Sequence, residues 1–392
     1  MKKIIAILLM STIILPITSS FAQASDTELP PESTETVGGN LELGVNAAYL
    51  IEAKTGRVLY SENETLAAAP ASVTKIMTLL LVAEALAEGR YSLTDKVYIS
   101  SYAASMGGSQ VFLEEGESMT VEELLKCTVI ASANDAAVAL AELTSGSEAA
   151  FVAKMNERAS ELGLTNTSFE NTTGLDDTTL NHYSCAEDIG KMSRELIKHE
   201  IILKYSSIWQ DTIRDGEFTL TNTNRLVRYY EGCNGLKTGS TDKAGFCVSA
   251  TAKRGNMQLI AVIMGAPTRE IRNDAARALL DYGFASYALC DYPEAFLENV
   301  AVKGGKKDLL PIYNESFSLV VDKADKAKVE AIYEIPESIS APIREGDVIG
   351  KIRYKLNGEV IGECNIYAGE AVEEIGFFEL FVRMLKRIVT SC

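Results

Sequence analysis

The sequence predicts an α+β domain, then a small β-rich domain, and finally a C-terminal amphipathic helix. Three observations support this fold class. Residues 41–292 combine a hairpin-like segment, long helical segments and late strands. After Pro293 the pattern changes to short alternating strands separated by turns. Residues 376–389 are apolar on one helical face only. The chain of 392 residues is long enough for two domains.

The chain begins with the pattern of a signal peptide. Two lysines precede an apolar stretch over residues 4–17, and Ala22-Gln23-Ala24 has the small-x-small form of a cleavage site. We therefore expect residues 1–24 to be removed from an exported protein. The following residues are rich in acidic, Pro, Ser, Thr and Gly types, which predicts a flexible tether over 25–43 because this composition cannot bury a core.

The first domain is predicted over residues 44–292. Alternating residues at 48–59 indicate a β-hairpin. Helical periodicity is present in three segments, at 74–88, 121–143 and 148–162. β-branched and apolar residues predict two late strands, at 245–252 and 258–265.

The second domain is predicted over residues 293–372 as a small β domain. Four segments alternate apolar and polar residues, at 317–321, 329–335, 348–356 and 360–367. Asn357-Gly358 separates the last two and is a strong signal for a two-residue hairpin turn. The domain contains no group of catalytic residues, so we expect it to act as a spacer.

Residues 373–392 are the last predicted unit, an amphipathic helix that anchors the protein at a membrane. Its apolar stripe is formed by Phe377, Leu380, Phe381, Met384, Leu385 and Ile388, and its charged residues are Glu379, Arg383, Lys386 and Arg387. A helix of about 14 residues is roughly 21 Å long, which is shorter than the ~30 Å hydrocarbon core. We expect it to lie in the membrane surface. The alternative is a helix docked on the protein's own core.

Charge and cysteine content argue against two classes of protein, those that bind nucleic acid and those built on a disulfide framework. The formal net charge is −17, which argues against a nucleic-acid partner. The seven cysteines are odd in number and scattered, so they do not describe a disulfide framework, and we expect mostly reduced, buried thiols. Cys127 has apolar neighbours and is interpreted as a packing residue rather than a nucleophile.

Three short motifs occur in one order along the chain, Ser72-Val73-Thr74-Lys75, Ser132-Ala133-Asn134 and Lys237-Thr238-Gly239. Ser72 and Lys75 stand at i and i+3 at the head of an apolar helical segment, so they share a face. The amine of Lys75 can take the hydroxyl proton of Ser72 if its pKa is low enough. A second lysine ~4 Å away would repel it by about 4 kcal/mol, or roughly three pKa units. The pattern indicates a serine acyl-transfer site.

Each motif alone is a weak signal. Similar triplets at 54–56 and 61–63 precede Ser72 and are interpreted as turn residues of the predicted hairpin. The alternative for Ser72 and Lys75 is a helix start with a solvated lysine. The alternative for Ser132 is the N-cap of a helix. The order and spacing of all three motifs favour the catalytic interpretation.

Other catalytic systems fit the sequence poorly. The chain has two histidines, His182 and His199, and it has neither a His-Glu-x-x-His nor a Gly-x-Ser-x-Gly motif. This argues against a zinc peptidase and against an α/β-hydrolase triad. We expect both histidines to be surface or loop residues, and we expect no metal and no cofactor.

The motifs and their surroundings resemble the serine-type D-alanyl-D-alanine carboxypeptidases, which are low-molecular-mass penicillin-binding proteins. Residues 132–136, 171–176, 183–188 and 237–245 also look like segments of that family. The resemblance extends from about residue 44 to the C-terminus. It implies a β-lactamase/transpeptidase-like domain, in which helices flank an antiparallel sheet and a mostly helical subdomain carries the second motif.

The resemblance also implies roles for the first two motifs. Ser72 would be the nucleophile that forms an acyl-enzyme, and Lys75 would be its general base. Ser132 would relay a proton towards the leaving amine. Asn134 would hold the peptide amide of the substrate.

The remaining roles implied by the resemblance concern substrate binding. Lys237, Thr238 and Gly239 would lie on an edge strand of the central sheet, where the glycine lets the substrate backbone approach. The backbone N–H of Ser240 would form an oxyanion hole together with that of the nucleophile. Arg272 would bind the terminal carboxylate, because a guanidinium suits bidentate carboxylate recognition. The alternative for Arg272 is a solvated helix arginine.

The function implied by the resemblance is removal of the terminal D-alanine from peptidoglycan stem pentapeptides, with β-lactams as covalent inhibitors. The expected location is the extracytoplasmic face of a bacterial membrane, held by the C-terminal helix. Two other classes stay open, a β-lactamase and a non-catalytic cell-wall-binding protein. The balance between carboxypeptidase and endopeptidase activity also stays open.

Overall fold

The computed structural model describes residues 41–390. The predicted signal peptide and most of the predicted tether lie outside these residues. In chain order, the elements up to residue 292 are β1 (Ala47–Glu52), β2 (Val58–Glu62), α1 (Lys75–Ala87), β3 (Lys96–Tyr98), α2 (Ser101–Ala104), β4 (Ser118–Thr120), α3 (Val121–Ile130), α4 (Asn134–Ser145), α5 (Glu148–Glu161), α6 (Ala186–Leu196), α7 (Glu200–Ser206), β5 (Gln210–Ile213), β6 (Phe218–Thr221), α8 (Leu226–Tyr229), β7 (Cys233–Thr241), β8 (Gly245–Arg254), β9 (Met257–Ala266), α9 (Arg269–Ser286) and β10 (Tyr287–Tyr292).

The centre of this part is a five-stranded antiparallel sheet in the order β2-β1-β9-β8-β7. Side chains of a strand alternate between the two faces of a sheet. In β1, Tyr49 and Ile51 accordingly join a core formed with α1 and the other helices of one face, whereas Leu50 joins a core formed with α9. Helices therefore flank the sheet on both faces, as expected, and β7 lies at one edge.

The segment predicted as one helix over 121–143 is two helices in the structure, so this prediction is wrong. α3 ends at Ile130 and α4 begins at Asn134, and between them Ser132 has a positive φ of 61°. The N-cap of α4 is Ala133, which forms no side-chain capping bond, so Ser132 is not a helix cap. Both helices are apolar on their inner faces, and periodicity alone does not reveal a three-residue break between them.

The second part of the chain is built from short strands and one final helix. Its elements are β11 (Ala295–Phe296), β12 (Val300–Lys303), β13 (Leu309–Leu310), β14 (Ile312–Asn314), β15 (Phe317–Asp322), β16 (Glu330–Glu334), β17 (Ser338–Ser340), β18 (Val348–Leu356), β19 (Glu359–Ala368) and α10 (Phe377–Thr390). They form a five-stranded sheet, β11-β14-β19-β18-β16, and a three-stranded sheet, β13-β12-β17.

The four strands predicted from alternation in this part are confirmed as β15, β16, β18 and β19. Asn357 and Gly358 both have positive φ, 52° and 88°, as a two-residue type I′ turn requires. The remaining strands have two to four residues, which is too short to show alternation. β10 ends at the predicted domain boundary but pairs with β15, so the two parts of the chain are joined by a shared sheet as well as by the chain.

Helix α10 begins at Phe377, four residues after the start of the predicted anchor unit. Phe377 and Phe378 are each 81% exposed, and Phe381 is 53% exposed. On its charged side, Arg383 donates to a carboxylate oxygen of Asp308 at 2.8 Å. Across residues 41–390 no single helix has the length and apolar composition to cross a membrane, although α4 and α5 pass that test as a bent pair.

The described part of the chain contains six of the seven cysteines, and all six are free thiols. Five of these are buried. Cys127 is fully buried in the core, where burial raises its pKa, and this environment fits a packing residue. The remaining cysteine, Cys392, lies outside the described residues.

Candidate active site

The hydroxyl of Ser72 and the amine of Lys75 face each other at the start of α1. Ser72 lies in a short 3-10 turn, Ala71–Thr74, and Lys75 is the first residue of the helix. The Lys75 Nζ atom lies 3.1 Å from Ser72 Oγ, 2.5 Å from Asn134 Oδ1 and 2.8 Å from the carbonyl oxygen of Thr173. The alternative of a solvated lysine is wrong, because Lys75 has no exposed surface.

These three contacts match the hydrogen-bonding capacity of a neutral amine. Asn134 Oδ1 and the carbonyl of Thr173 can only accept, so they take two N–H groups of Lys75. A neutral amine has two N–H groups and one lone pair. The remaining direction points at the hydroxyl of Ser72, which can donate its proton to that lone pair. The geometry therefore fits a base that is ready to deprotonate Ser72.

The electrostatic environment of Lys75 favours this neutral form. Burial lowers the pKa of Lys75 well below its ordinary value, repulsion from Lys237 lowers it further, and Asp135 opposes the shift. The sequence predicted repulsion from a second lysine, and in the structure burial is the larger cause of the lowered pKa.

Lys237 approaches the same site from β7. Its Nζ atom donates to Ser132 Oγ at 2.7 Å and to the carbonyl oxygen of Thr238 at 2.9 Å. Lys237 is 1% exposed. Burial, followed by repulsion from Arg272, lowers its pKa to about 7. The turn between α3 and α4 thus contacts both lysines, since Ser132 meets Lys237 and Asn134 meets Lys75.

This turn is fixed by the segment at 107–113. Asn134 Nδ2 donates to the carbonyl oxygen of Gly107 at 2.7 Å. The buried carboxylate of Asp135 accepts from the backbone N–H groups of Val111 and Leu113, each at 3.1 Å. Because every one of these bonds is buried or partly buried, they fix the second motif against the segment at 107–113.

The loop at 171–175 is a part of the site to which the sequence analysis gave no role. Its Thr173 carbonyl binds Lys75, and the carbonyl of Thr172 accepts from Thr78 Oγ1 at 2.7 Å. Gly174 has φ +82°, and a Cβ there would lie 1.8 Å from the carbonyl oxygen of Ala71. Only glycine allows this close packing. A carbonyl has no side-chain signature, so the glycine is the only sequence signal of the contact.

The third motif lies on β7, next to Ser72. A Cβ on Gly239 would lie 2.7 Å from the backbone nitrogen of Ser72, so glycine permits the close approach of strand and turn. Thr238 Oγ1 donates to Thr223 Oγ1 at 2.8 Å, and Ser240 is exposed. Within residues 41–390, β7 is an edge strand whose outer side has no partner strand, and an extended peptide can pair there.

A cavity of about 510 Å³ opens over this arrangement. Six of the nine predicted site residues line it, namely Ser72, Ser132, Thr238, Gly239, Ser240 and Arg272. The other three, Lys75, Asn134 and Lys237, are buried directly behind them. The structure thus brings together all nine residues, which come from segments up to 200 positions apart.

Arg272 lies on α9 and is only 3% exposed, so the alternative of a solvated helix arginine is wrong. Its guanidinium donates to Asn273 Oδ1 at 2.9 and 3.1 Å. Burial and the nearby Arg269 lower its pKa to about 10, so it stays charged at neutral pH. Sequence reasoning missed further residues at the cavity, among them Trp209, Arg225 and Tyr229.

The histidines lie apart from this chemistry. His182 lies in a loop, as expected, but it is buried, with 3% of its surface exposed. Its Nδ1 accepts from the backbone of Glu170 at 3.0 Å, so Nε2–H donates to Thr74 Oγ1 at 2.7 Å. Burial lowers its pKa to about 4. Among residues 41–390 no group of three or more His, Cys, Asp or Glu side chains is arranged to hold a metal ion.

Two family models match this chain. A model described as D-alanyl-D-alanine carboxypeptidase, peptidase S11, matches residues 34–268. A model described as penicillin-binding protein 5, C-terminal domain, matches residues 294–374.

Similar proteins span most of the chain. The D-alanyl-D-alanine carboxypeptidase DacF of Bacillus subtilis is 42% identical and covers 98% of both chains. DacC of Escherichia coli is 34% identical over 84% of both. The structure of penicillin-binding protein 5 from Haemophilus influenzae has a TM-score of 0.75 at 32% identity, covering 86% of this chain and 99% of that one. Penicillin-binding protein D2 from Listeria monocytogenes in its ampicillin-bound form has a TM-score of 0.58 at 32% identity, covering 63% and 99%.

Proposed function

The chain belongs to the D-alanyl-D-alanine carboxypeptidase family, peptidase S11, and we propose that Ser72 is the nucleophile of its reaction. The protein is a serine D,D-carboxypeptidase that removes the terminal D-alanine from peptidoglycan stem peptides, and β-lactams acylate it. The observation that carries the role of Ser72 is the buried amine of Lys75, 3.1 Å from its hydroxyl, with two N–H groups already engaged by acceptors.

Acylation begins with transfer of the Ser72 proton to Lys75. The Ser72 oxygen attacks the carbonyl carbon between the two D-alanines, and the backbone N–H groups of Ser72 and Ser240 stabilise the oxyanion. The C–N bond then breaks, and the leaving amine takes a proton delivered through Ser132. The 2.7 Å contact with Lys237 supports this role, because it links the Ser132 hydroxyl to a group with a pKa of about 7.

Substrate binding uses the edge of β7 and the charge of Arg272. The substrate backbone pairs with the strand beside Gly239, and Arg272 binds the terminal carboxylate. Asn134 holds the peptide amide. Each polar atom of the Asn134 amide forms one bond in the free enzyme and keeps capacity for a second.

The rate at which the penicilloyl group leaves Ser72 distinguishes a carboxypeptidase from a β-lactamase. A β-lactamase releases it quickly, which requires a base positioned to activate water. In the part of the chain that the structure describes, no Asp or Glu side chain lines the cavity. We therefore expect the penicilloyl adduct on Ser72 to persist for minutes or longer. A lifetime of milliseconds would indicate a β-lactamase instead.

We also propose that the protein is exported and is held at the extracytoplasmic face of the bacterial membrane by α10. The signal-peptide pattern supports export. The exposed phenylalanines of α10 support membrane binding, because large apolar side chains gain free energy when they leave water.

Replacing the nucleophile tests the catalytic assignment. The Ser72→Ala variant should release D-alanine from a stem pentapeptide on the order of a million-fold more slowly, as after nucleophile removal in another serine hydrolase. Ser61→Ala is the matched control, because Ser61 belongs to a motif-like triplet outside the cavity and should keep parental activity. Release by Ser72→Ala at the parental rate would refute the assignment.

A further inference from the structure

The active-site cavity carries more positive charge than is needed to bind the terminal carboxylate of a substrate that ends in D-alanine. Three arginines line it, Arg225, Arg269 and Arg272, and no acidic side chain among the described residues does. This concentration of positive charge is notable in a chain with a formal net charge of −17. A polypeptide of this composition has many carboxylates with which surface arginines can pair.

None of these arginines is neutralised by an ion pair within residues 41–390. The ion pairs of arginine in this part of the chain involve other positions. Arg272 donates to the neutral amide of Asn273, and Arg225 and Arg269 form no side-chain hydrogen bond with any other residue that the structure describes. Glu270 follows Arg269 on α9 but does not line the cavity. The free enzyme therefore presents unpaired guanidinium groups to a ligand.

The three arginines occupy two depths. Arg272 is buried at the floor, whereas Arg225 and Arg269 are exposed at the mouth. One carboxylate forms a bidentate pair with one guanidinium. If Arg272 takes the terminal carboxylate of the substrate, the two arginines at the mouth remain available for a second anion.

The cavity also has space for a second anionic group. Its volume of about 510 Å³ lies within the range of pockets that hold drug-sized ligands, whereas the side chain of D-alanine is a methyl group. Trp209 and Tyr229 line the cavity as well. The guanidinium of Arg228 lies over both rings, at 5.3 and 5.5 Å from their centroids, and so holds this wall in place.

We propose that the cavity is a subsite for a terminal D-residue with a carboxylate side chain, which Arg225 and Arg269 bind. This inference rests on the proposed function and extends its substrate class to peptides that end in an acidic D-amino acid. The reaction is the same hydrolysis. The amide C–N bond breaks, water adds to the acyl group, and an amino dicarboxylate leaves in place of D-alanine.

Three peptides with the same acyl part test the proposal, ending in D-Ala-D-Ala, D-Ala-D-Glu and D-Ala-D-Gln. The last two have nearly the same shape and differ in side-chain charge. Because two guanidinium groups can each form charge-assisted hydrogen bonds with the D-Glu carboxylate, kcat/KM for the D-Glu peptide should exceed that for the D-Gln peptide by about tenfold. The ratio should fall as salt concentration rises.

Arginine variants of the full chain locate the effect. Arg225→Gln and Arg269→Gln should each reduce the D-Glu to D-Gln ratio several-fold. Arg277→Gln is the matched control, because Arg277 is an exposed arginine on the same helix as Arg269 but pairs with Asp274 and lies outside the cavity lining, so this variant should keep the ratio.

Two results would overturn the proposal. One is a ratio of one or less in the parent enzyme. The other is an equal loss for all three peptides in Arg225→Gln and Arg269→Gln, which would assign these arginines to the shared terminal carboxylate. The D-Ala-D-Ala peptide distinguishes failure of the proposed function from failure of the subsite proposal. If this peptide does not react, the proposed function is refuted. If it reacts but the enzyme shows no preference for D-Glu over D-Gln, only the subsite is refuted.

Discussion

In the proposed mechanism Lys75 acts as a base only while its amine is neutral, so single residues around it should set the pH dependence of catalysis. Repulsion from Lys237 lowers the pKa of Lys75, and it is strongest below pH about 7, where Lys237 is charged. Removing this charge with Lys237→Gln should raise the pKa of Lys75. The acidic limb of the acylation profile should then move to higher pH.

Rates of acylation by a fluorescent penicillin, measured across pH, check this prediction. The pH midpoint of the acidic limb is informative even if Lys237→Gln also lowers the maximal acylation rate, because the midpoint and the maximal rate are determined independently. Lys54→Gln is the control, since Lys54 belongs to a similar triplet but pairs with Asp291 at the surface. An acidic limb that stays in place in Lys237→Gln would contradict the account of Lys75.

His182 should make folding stability depend on pH. Its pKa falls from 6.5 to about 4 on folding, so the unfolded chain binds the proton more tightly. Stability is therefore unaffected above pH about 6.5 and decreases as the pH falls towards 4, by about 3 kcal/mol in all. Urea unfolding at pH 7 and pH 5 should show roughly 2 kcal/mol of this loss.

The His182→Gln variant should lose this part of the pH dependence, whereas His199→Gln should keep it. Comparing the two slopes removes the contribution of carboxylates, which both variants share. Equal slopes in the parent and in His182→Gln would show that the histidine does not resist protonation in the folded state.

At this scale, sequence reasoning predicted which side chains lie close together. The i, i+3 spacing of Ser72 and Lys75 was enough to place them on one face. It failed where the functional group is a backbone atom, as at Thr173, or where residues converge only through the fold. Arg225 and Tyr229 are four residues apart on one helical turn, but only the packing of elements brings Trp209 to the same cavity.

At the scale of elements, the loop at 171–175 holds the first turn of α1 in position. Gly174→Ala should both strain the backbone and push the loop away from the Ala71 carbonyl, moving the Thr173 oxygen from Lys75. We expect a loss of more than about tenfold in penicillin acylation, since misplacement of a positioning group by 1 Å can cost 10²-fold.

Gly146→Ala is the matched control for this variant. Gly146 has nearly the same positive φ, 80°, but outside its immediate chain neighbours no atom of residues 41–390 lies within 4 Å of the added Cβ. It should lower stability by about 1 kcal/mol and leave acylation unchanged. Equal effects of the two substitutions on acylation would mean that strain alone, and not the contact with the nucleophile turn, explains the result.

Element prediction was reliable where a segment is long and continuous in pattern. α1, α5, β8 and β9 match their predicted ranges closely. The break between α3 and α4 was missed because both flanking segments are apolar and the interruption lasts three residues. That break is part of the site, since its positive φ at Ser132 places the hydroxyl beside Lys237.

For the whole molecule, α10 should decide whether the enzyme binds membranes. Replacing two exposed phenylalanines of the full chain, as Phe377→Ser with Phe381→Ser, should greatly reduce co-sedimentation with vesicles of anionic phospholipid. Hydrolysis of a soluble peptide should be unchanged, because the helix lies in the other part of the chain. Burial of such side chains contributes about 1.5–3 kcal/mol each.

Tyr98→Ser is the control, because Tyr98 is 76% exposed but lies outside α10. It should leave vesicle binding intact. Full binding by the double phenylalanine variant would favour the alternative in which α10 docks on protein.

The sequence predicted the helices and strands of the overall architecture but not which strands pair with each other. The order of hairpin, helices and late strands indicated α+β, and the family resemblance supplied the layers. β1 pairs with β9, which lies about two hundred residues further along the chain. This pairing depends on how the whole sheet assembles, and no local sequence pattern predicts it. The pairing of β10 with β15 across the predicted domain boundary was missed for the same reason.

Peptide mapping by mass spectrometry after exposure to a penicillin tests the central claim most directly. A buried neutral amine should make one hydroxyl uniquely reactive, so the penicilloyl group should be found on the peptide that contains Ser72, and Lys75→Ala should abolish the adduct. Labelling at another residue, or undiminished labelling without the amine, would contradict the account.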